Sequence, residues 1–301
     1  MSSLSALPVG SRPSALRGDA ETQAAMLPPL LARAEHLAGA VLLGDHGRRR
    51  SGLGDNFWQY RPAQPGDSRR MIDHRRSAMG DTEFVREREW QIAQSVMLWI
   101  DRGASMRFSS TPELPEKADR ARLLGLATAI LLVRGGERVG LTGTTLPPRR
   151  GNTQILRLAE LFSTDEDADY APPEHRAMIP SARALFISDF MGDISEVKLA
   201  LTKAADRGVR GVLLHMLDPS EEEFPFKGRT IFESVGGTLS HETLKANDLR
   251  ERYLERLASR KADLQDLCAL TGWQYGQHHT NTSAQSALLW LYSALDGGTV
   301  R

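Results

Sequence analysis

Asp101, Gly103 and Ser105 stand at two-residue steps directly after an apolar run, Val96-Met-Leu-Trp-Ile100. A buried strand that delivers a carboxylate and a hydroxyl to its carboxyl end places them where open α/β sheets bind ligands. Two further segments carry the same chemistry. Gly151-Asn152-Thr153 opens a helix, and Ser188-Asp189 closes the apolar run Ala184-Leu-Phe-Ile187. If the strands run parallel, Asp101, Ser105, Thr153 and Asp189 converge on one sheet edge. Carboxylates and hydroxyls gathered there form a hard oxygen site of the kind that holds Mg²⁺ with help from water. The same residues also admit a reading without an ion, because short polar side chains at strand ends cap helices and bond loop amides.

The elements that must position these groups follow from periodicity. From residue 94 onward the pattern predicts strands over 95–101, 137–145, 183–190 and 208–218, with helices over about 116–134, 152–163 and 193–206 between them. Asp193 is placed to cap the third helix, and Gly135-Gly136 and Gly208 fall where helix ends require them. Such alternation predicts an α/β fold, a mostly parallel, doubly wound sheet with helices on both faces. The acid- and proline-rich loop from Ser163 to Ser181 is long for this class, as a surface insertion or a binding loop would be. A helix is expected from about Ser240 to Leu270, with Leu254, Leu257, Leu264 and Leu267 as an apolar stripe seating it on its own domain, and a last, core helix over Ser283 to Leu295. No internal repeat is visible.

Composition narrows the function classes. The 301 residues are 41% hydrophobic and 25% charged, enough for a sizeable core. Lys+Arg and Asp+Glu are both 38, so no global field draws the chain to nucleic acid or anionic lipid. The single cysteine, Cys268, excludes an internal disulfide and a thiolate zinc cluster, and fits a reducing compartment. Residues 1–20 read as a disordered tail without a signal peptide, and the longest apolar stretch, Leu123 to Val133, is too short to span a bilayer. A cytoplasmic protein without a membrane span is expected, in three parts: the tail, a subdomain over 21–93 beginning with a helix over 21–43, and an α/β domain with C-terminal helices over 94–301.

Between Gly47 and Trp90 the chain carries ten arginines, seven acids and no lysine. Arginine's planar fork favours bidentate pairing with carboxylates, so this block suits an ordered ion-pair lattice. Phe57, Trp58 and Tyr60 supply apolar surface that a merely solvated loop does not need. A strand is expected over 82–89.

Two family resemblances rest on these residues. Asp101-x-Gly103-x-Ser105 with later Thr153 and Asp189 resembles the metal-ion-dependent adhesion site of von Willebrand factor A domains, whose pattern is Asp-x-Ser-x-Ser. By that resemblance Asp101, Ser105, Thr153 and Asp189 are the Mg²⁺ ligands, with Gly103 standing where the family supplies its first serine. The arginine block looks like the signature of the bacterial domain-of-unknown-function family fifty-eight. The matching positions are Gly52, Gly54, Phe57, Arg61, Gly66, Asp67, Arg70, Ile72, Asp73, Ser77 and Ala78, then Asp101-x-x-x-Ser105-Met106, Ser188-Asp189-Phe190, and Asp218-Pro219-x-Glu221 with Phe224-Pro225. The pattern covers about Gly47 to Glu233 and departs at His74, where the family usually has tryptophan, and at Met79, where arginine is common.

That resemblance implies a von Willebrand A-like domain behind an arginine-rich signature subdomain. It also implies a non-catalytic interaction module paired with a MoxR-type AAA+ ATPase in the assembly or activation of other proteins. Arg61, Gly66, Asp67, Arg70, Asp73, Ser77, Asp218 and Glu221 are then its signature and interaction residues. The chain agrees in lacking a motor of its own, for no Gly-x-x-x-x-Gly-Lys-Ser/Thr loop is present. The rival class is a metal-dependent hydrolase or phosphotransferase using Asp101 and Asp189. Against it, the second acid of such phosphotransferases is replaced by Gly103. Ser105 lacks the glycine setting of a nucleophile elbow, and the histidines have no partners at metal-ligand spacing.

Overall fold

Residues 29–42, 57–64, 72–78, 80, 82–88, 94–166, 168–233, 240–243 and 247–296 are described by the structure, a computed structural model. The expected tail over 1–20 and the start of the first helix lie outside the described residues. The chain forms two compact units, Asp45–Ala93 and the remainder, Met1–Gly44 with Gln94–Arg301.

In the larger unit, helix α1 spans 29–42. Five parallel strands follow: β3 (Ser95–Ile100), β4 (Arg138–Leu141), β5 (Arg183–Ser188), β6 (Arg210–Leu217) and β9 (Gln274–His279), in the order β4-β3-β5-β6-β9. Alternating residues explain the layers. Val96, Leu98 and Ile100 of β3 face one core with Leu185, Ile187, Val212 and Leu214, while Met97 and Trp99 face the other with Ala184, Phe186 and Leu213. A strand buried on both faces must be apolar throughout, which is why β3, β5 and β6 read as continuous runs. The first core is covered by α1, α3 (Lys117–Arg134), α4 (Asn152–Phe162) and α8 (Ala284–Leu295). The second is covered by α5 (Ile194–Asp206) and by Leu264, Leu267 and Cys268 of α7 (Asn247–Thr271). Helix α1 thus belongs to the α/β unit rather than to the arginine-rich block with which it was expected to group.

The helices after β3 and β5 lie on opposite faces, so the sheet reverses direction of winding between these two strands. A crevice opens at such a switch point, outside the strands' carboxyl ends. Asp101 and Asp189 are the next residues in the chain there.

Three elements differ from expectation. The helix expected from Ser240 begins at Asn247. Before it, Thr230–Glu233 and Ser240–Thr243 pair as the antiparallel strands β7 and β8. The predicted strand over 137–145 ends at Leu141, with an isolated antiparallel bridge from Val139 to Arg149. Strand β9, Gln-Tyr-Gly-Gln-His-His, has no apolar run because it is the sheet edge. Among the described residues it pairs only with β6, and its Gly276 leaves room for Trp290 of α8. Among the described residues, no helix is long and apolar enough to cross a membrane.

The smaller unit is an antiparallel pair, β1 (Phe57–Pro62) and β2 (Phe84–Arg88), with a one-turn helix α2 (His74–Ser77) between them. Asp73 caps that turn by accepting from the Arg75 and Arg76 amides at 3.1 and 3.0 Å. Ser77 Oγ donates to the Asp73 carbonyl and accepts from the Phe84 amide, stitching the turn to β2.

Gly211 lies in β6 opposite Ala184, where an added Cβ would meet the Ala184 carbonyl oxygen at 2.2 Å. Backbone of a paired central strand cannot yield locally. Gly211→Ala is therefore expected to lower unfolding free energy by about 1–3 kcal/mol in urea denaturation; an unchanged midpoint would contradict the β5–β6 register.

Candidate functional site

At the switch point the first carboxylate, Asp101, is 2% exposed. Its Oδ1 accepts from the Gly103 amide at 2.8 Å, and its Oδ2 accepts from Ser188 Oγ at 2.6 Å. Ser188 Oγ in turn accepts from the Phe190 amide at 2.8 Å, which pins the β5 exit to the β3 exit. Phe190 takes a positive φ of 48°, a conformation unusual for a bulky residue and costly unless its surroundings enforce it. Burial, and then the neighbouring Asp189 charge, push the Asp101 carboxyl up to about 7, against the lowering effect of the Ser188 and Gly103 bonds.

Asp189 is the second carboxylate, and it is neutralised from inside the fold. Lys117, the first residue of α3 and only 2% exposed, reaches Asp189 Oδ2 at 2.9 Å and Glu221 Oε1 at 2.7 Å. Its ammonium also sits over the Phe108 ring, 5.6 Å from the centroid. Burial alone would lower the lysine's pKa, but the two carboxylates outweigh it and raise it. Burial would likewise raise Asp189, yet the Lys117 charge and hydrogen bond hold that carboxyl below the usual range. Glu221 is raised, because burial and the Asp189 charge exceed the pull of the lysine.

The network continues through helix α6 (Pro219–Glu223). Glu221 Oε2 accepts from the Asp218 amide at 2.7 Å while Asp218 Oδ1 accepts from the Ser220 amide at 2.9 Å, a reciprocal capping box. Asp218 Oδ2 accepts from the Ser110 amide at 3.0 Å. Asp218 and Glu221 therefore tie the exit of β6 to α3 and to the segment after β3.

The acidic loop after α4 lies over this edge. The Ala104 and Ser105 amides donate to the Ala168 and Asp169 carbonyls at 2.8 Å each, and the Glu166 amide donates to the Arg102 carbonyl. Arg102 pairs with Glu166 and Arg122 with Asp165. A Cβ at Gly103 would stand 2.9 Å from the Ala171 amide nitrogen and 3.0 Å from the Asp169 carbonyl oxygen. The loop thus occupies the space that a serine at 103 would need. Beside it a cleft of about 410 Å³ is lined by Asp101, Ser188, Tyr170, Phe190, Asp193 and Glu196, among others.

The residues expected to hold Mg²⁺ are only partly assembled. Asp101, Asp189 and Ser105 meet at the edge. Ser105 Oγ is buried beside Asp189 and outside hydrogen-bonding geometry. Thr153 sits exposed in the first turn of α4. A divalent ion needs several free oxygens. Here Lys117 already supplies a cation to Asp189, Ser188 and Gly103 already donate to Asp101, and position 103 offers no side chain. As arranged, these residues do not fit a resident Mg²⁺ ion. Among the described residues, no group of three or more His, Cys, Asp or Glu side chains is placed to hold a metal.

In the smaller unit, Asp73 and Ser77 have the structural roles given above. Arg61 lies in β1. Gly66, Asp67 and Arg70 lie outside the described residues.

The family described as Protein of unknown function DUF58 matches residues 59–263, more than half of the chain. The chain belongs to that family. The matched range contains the strand-edge network of Asp101, Lys117, Ser188, Asp189, Asp218 and Glu221. Two solved structures are similar to this DUF58 chain, each over 68% of it and 100% of their own length. One is the conserved hypothetical protein BatB from Bacteroides thetaiotaomicron, with TM-score 0.38 and 16% identity. The other is an aerotolerance-related membrane protein from Bacteroides fragilis NCTC 9343 carrying multiple mutations to serines, with TM-score 0.39 and 14% identity. No curated protein matches.

Lys117 is the site residue that sequence reading missed. One signal was present: a lysine at the first position of a helix opposes the macrodipole, which favours anions there. Three of the eight histidines, His215, His278 and His279, are tied into the fold. His215, fully buried, lies 2.8 Å through Nδ1 from the Tyr275 hydroxyl and is pushed down to about 3 by burial. On β9, His278 meets Thr282, while His279 pairs with Glu222.

Lys117→Met leaves Asp189 and Glu221 buried without their cation and is expected to cost about 3–5 kcal/mol in chemical denaturation. A variant as stable as wild type would show that the network carries little of the fold. For Asp101, the folded pKa of about 7 exceeds the ordinary 3.8, so between those values the native state holds a proton that the unfolded state has lost. Its contribution is therefore full at low pH and disappears as pH rises toward 7, with a limiting slope of about 1.4 kcal/mol per pH unit. Asp101→Asn abolishes this titration. The stability difference between variant and wild type should accordingly shift in the variant's favour as pH rises from about 4 to about 7; a flat difference would place the Asp101 pKa near its ordinary value.

Proposed function

We propose that this chain is a non-catalytic interaction module, an adaptor of a MoxR-type AAA+ ATPase acting in the cytoplasm in the assembly or activation of other proteins. The reading takes its α/β unit as von Willebrand A-like, with the switch-point edge as the functional face. The observation that carries it is the state of the acids at that edge. Asp189 is neutralised by Lys117, and Asp101 is held by Ser188 and Gly103. Asp218 and Glu221 cap α6 and bind Lys117. Acids so engaged hold the strand exits and the lysine in place, and a rigid scaffold beneath the exposed loops is what a preorganised docking face requires. The absent phosphate loop leaves any motor to the partner, and zero net charge disfavours nucleic acid as that partner. Because Lys117 already fills the role of a cation at Asp189, docking is expected to be independent of divalent ions bound to this chain.

One observation favours the enzymatic alternative. Asp101, raised to about 7, lines a cleft at the switch point, and a carboxyl poised near neutrality is a candidate acid or base. A hydrolase or phosphotransferase using Asp101 and Asp189 would need Asp189 released from Lys117.

Affinity capture from native lysate with Mg²⁺ and ATP, using wild type and Asp101→Asn side by side, tests the reading. An AAA+ ATPase identified by mass spectrometry with both baits is the expected outcome. No ATPase with either bait, together with p-nitrophenyl phosphate turnover that Asp101→Asn abolishes, would replace the adaptor with the enzyme.

A further inference from the structure

A cavity of about 600 Å³ opens beside the network, between the segment after β3, helix α6 with its exit, and the start of α7. Its wall is aromatic. Phe224 packs against Tyr253 with ring centroids 4.9 Å apart and against Phe226 at 5.2 Å, and Phe108 and Leu249 complete the apolar lining. Phe224 takes a left-handed conformation, φ 44° and ψ 64°, as it ends α6. That conformation is unfavourable for a phenylalanine, so the turn is held by its surroundings in a geometry that keeps this ring in the wall.

Two arginines stand on the same helix at this cavity. Arg252 and Arg256, one turn apart on α7, both line it and are both exposed. Side chains at i and i+4 project from Cβ atoms about 5–6 Å apart, close enough for both guanidinium groups to reach one carboxylate or two adjacent ones. Acids are near in sequence at Asp248, Glu251 and Glu255, yet neither arginine makes an ion pair or hydrogen bond among the described residues. Among the described residues of the wall, the one carboxylate, Glu221, is committed to Lys117 and to the Asp218 amide. Among the described residues, the cavity therefore combines an apolar interior, two unpaired cations and no available anion.

We propose that this groove docks an acidic peptide segment of a partner protein, in which a bulky apolar side chain enters the aromatic cavity and flanking carboxylates pair with Arg252 and Arg256. At about 600 Å³ the cavity lies within the 300–1,000 Å³ range of ligand pockets, room enough for a bulky side chain with the backbone that carries it. Aromatic walls with arginine are also the composition of energetically dominant interface centres. The groove borders the switch-point network through Glu221, so the docked segment contacts the residue that holds Lys117. In naming a peptide as the ligand, the inference rests on the interaction-module reading above, though not on the identity of the ATPase.

The test is selection of a random peptide library displayed on phage against the full chain, followed by fluorescence polarisation of the enriched peptides. Enriched sequences should carry Asp or Glu beside a bulky apolar residue. Their affinity should fall at least about tenfold for Arg252→Glu/Arg256→Glu, partly recover in Arg252→Lys/Arg256→Lys, and fall for Tyr253→Ala, with thermal unfolding of the exposed-arginine variants unchanged. Enrichment of nothing above the bare support, enrichment of basic sequences, or equal binding by the charge-reversed chain would overturn the proposal. Titration with laurate and a concentration-dependent mass measurement form the remaining arms. Saturable laurate binding without peptide selection would assign the groove to a lipid carboxylate. Self-association abolished by Tyr253→Ala would assign it to a second copy of the chain; either result also overturns the proposal. Lysate capture reads separately: an ATPase retained by the charge-reversed chain leaves the adaptor standing when the groove fails, and acidic peptides selected without any captured ATPase do the reverse.

Discussion

A lysine ammonium with almost no solvent contact must be neutralised where it stands, and in this chain the carboxyl edge of the sheet is built to do so. Lys117 brings α3 to Asp189 at the end of β5 and to Glu221 in α6. Glu221 then fixes the amide of Asp218, and Asp218 accepts from Ser110 beyond β3. Removing a charge from water costs several kcal/mol, offset only when the remaining lone pairs and protons are also bonded. The partners of Lys117 are therefore themselves held. Three strand exits and two helix starts are fixed by one buried charge, and the crevice at the β3–β5 switch point acquires its shape from that requirement.

The same requirement separates what could be read from the sequence from what could not. Strands β3, β5 and β6 were legible because burial on both faces demands uninterrupted apolar runs, and Asp193 was legible as the cap of α5 because capping is local. Strand β9 was not, since an edge strand buries fewer side chains and its Gln-Tyr-Gly-Gln-His-His sequence follows no period. The β7–β8 pair preceding α7 was hidden because its polar residues resemble a helix start. At the site, Asp101 and Asp189 were visible as acids after apolar runs, but the cation of Asp189 comes from position 117 and is shared with Glu221, positions that no spacing rule connects to the strand ends. Thr153 shows the converse failure. A correct place at a helix start says nothing of which way a side chain faces, and Thr153 faces solvent.

The residues read in the sequence as a family signature also have physical roles in the fold. Asp73 and Ser77 hold a one-turn helix on β2, and Asp218 with Glu221 form a capping box that doubles as the counter-ion of Lys117. These are positions where the backbone's own polar groups would otherwise be unsatisfied. Such residues specify the geometry of loops, and loops on a rigid sheet edge are where recognition is placed.

Gly103 links the loop to the lysine. An adhesion-type metal site would want a serine there, but a Cβ at 103 collides with the backbone of the loop segment 168–171. Once the loop carbonyls accept from the Ala104 and Ser105 amides, the edge lacks both the space and the oxygen that a divalent ion needs. Asp189 nevertheless remains an anion buried next to Asp101, and of two uncompensated carboxylates in one low-dielectric crevice one would be forced to take up a proton. A covalently attached cation resolves this for Asp189 without exchange with solvent, leaving Asp101 as the carboxyl whose charge yields. The asymmetry between the two aspartates, one depressed and one raised to about 7, follows from which of them the lysine reaches.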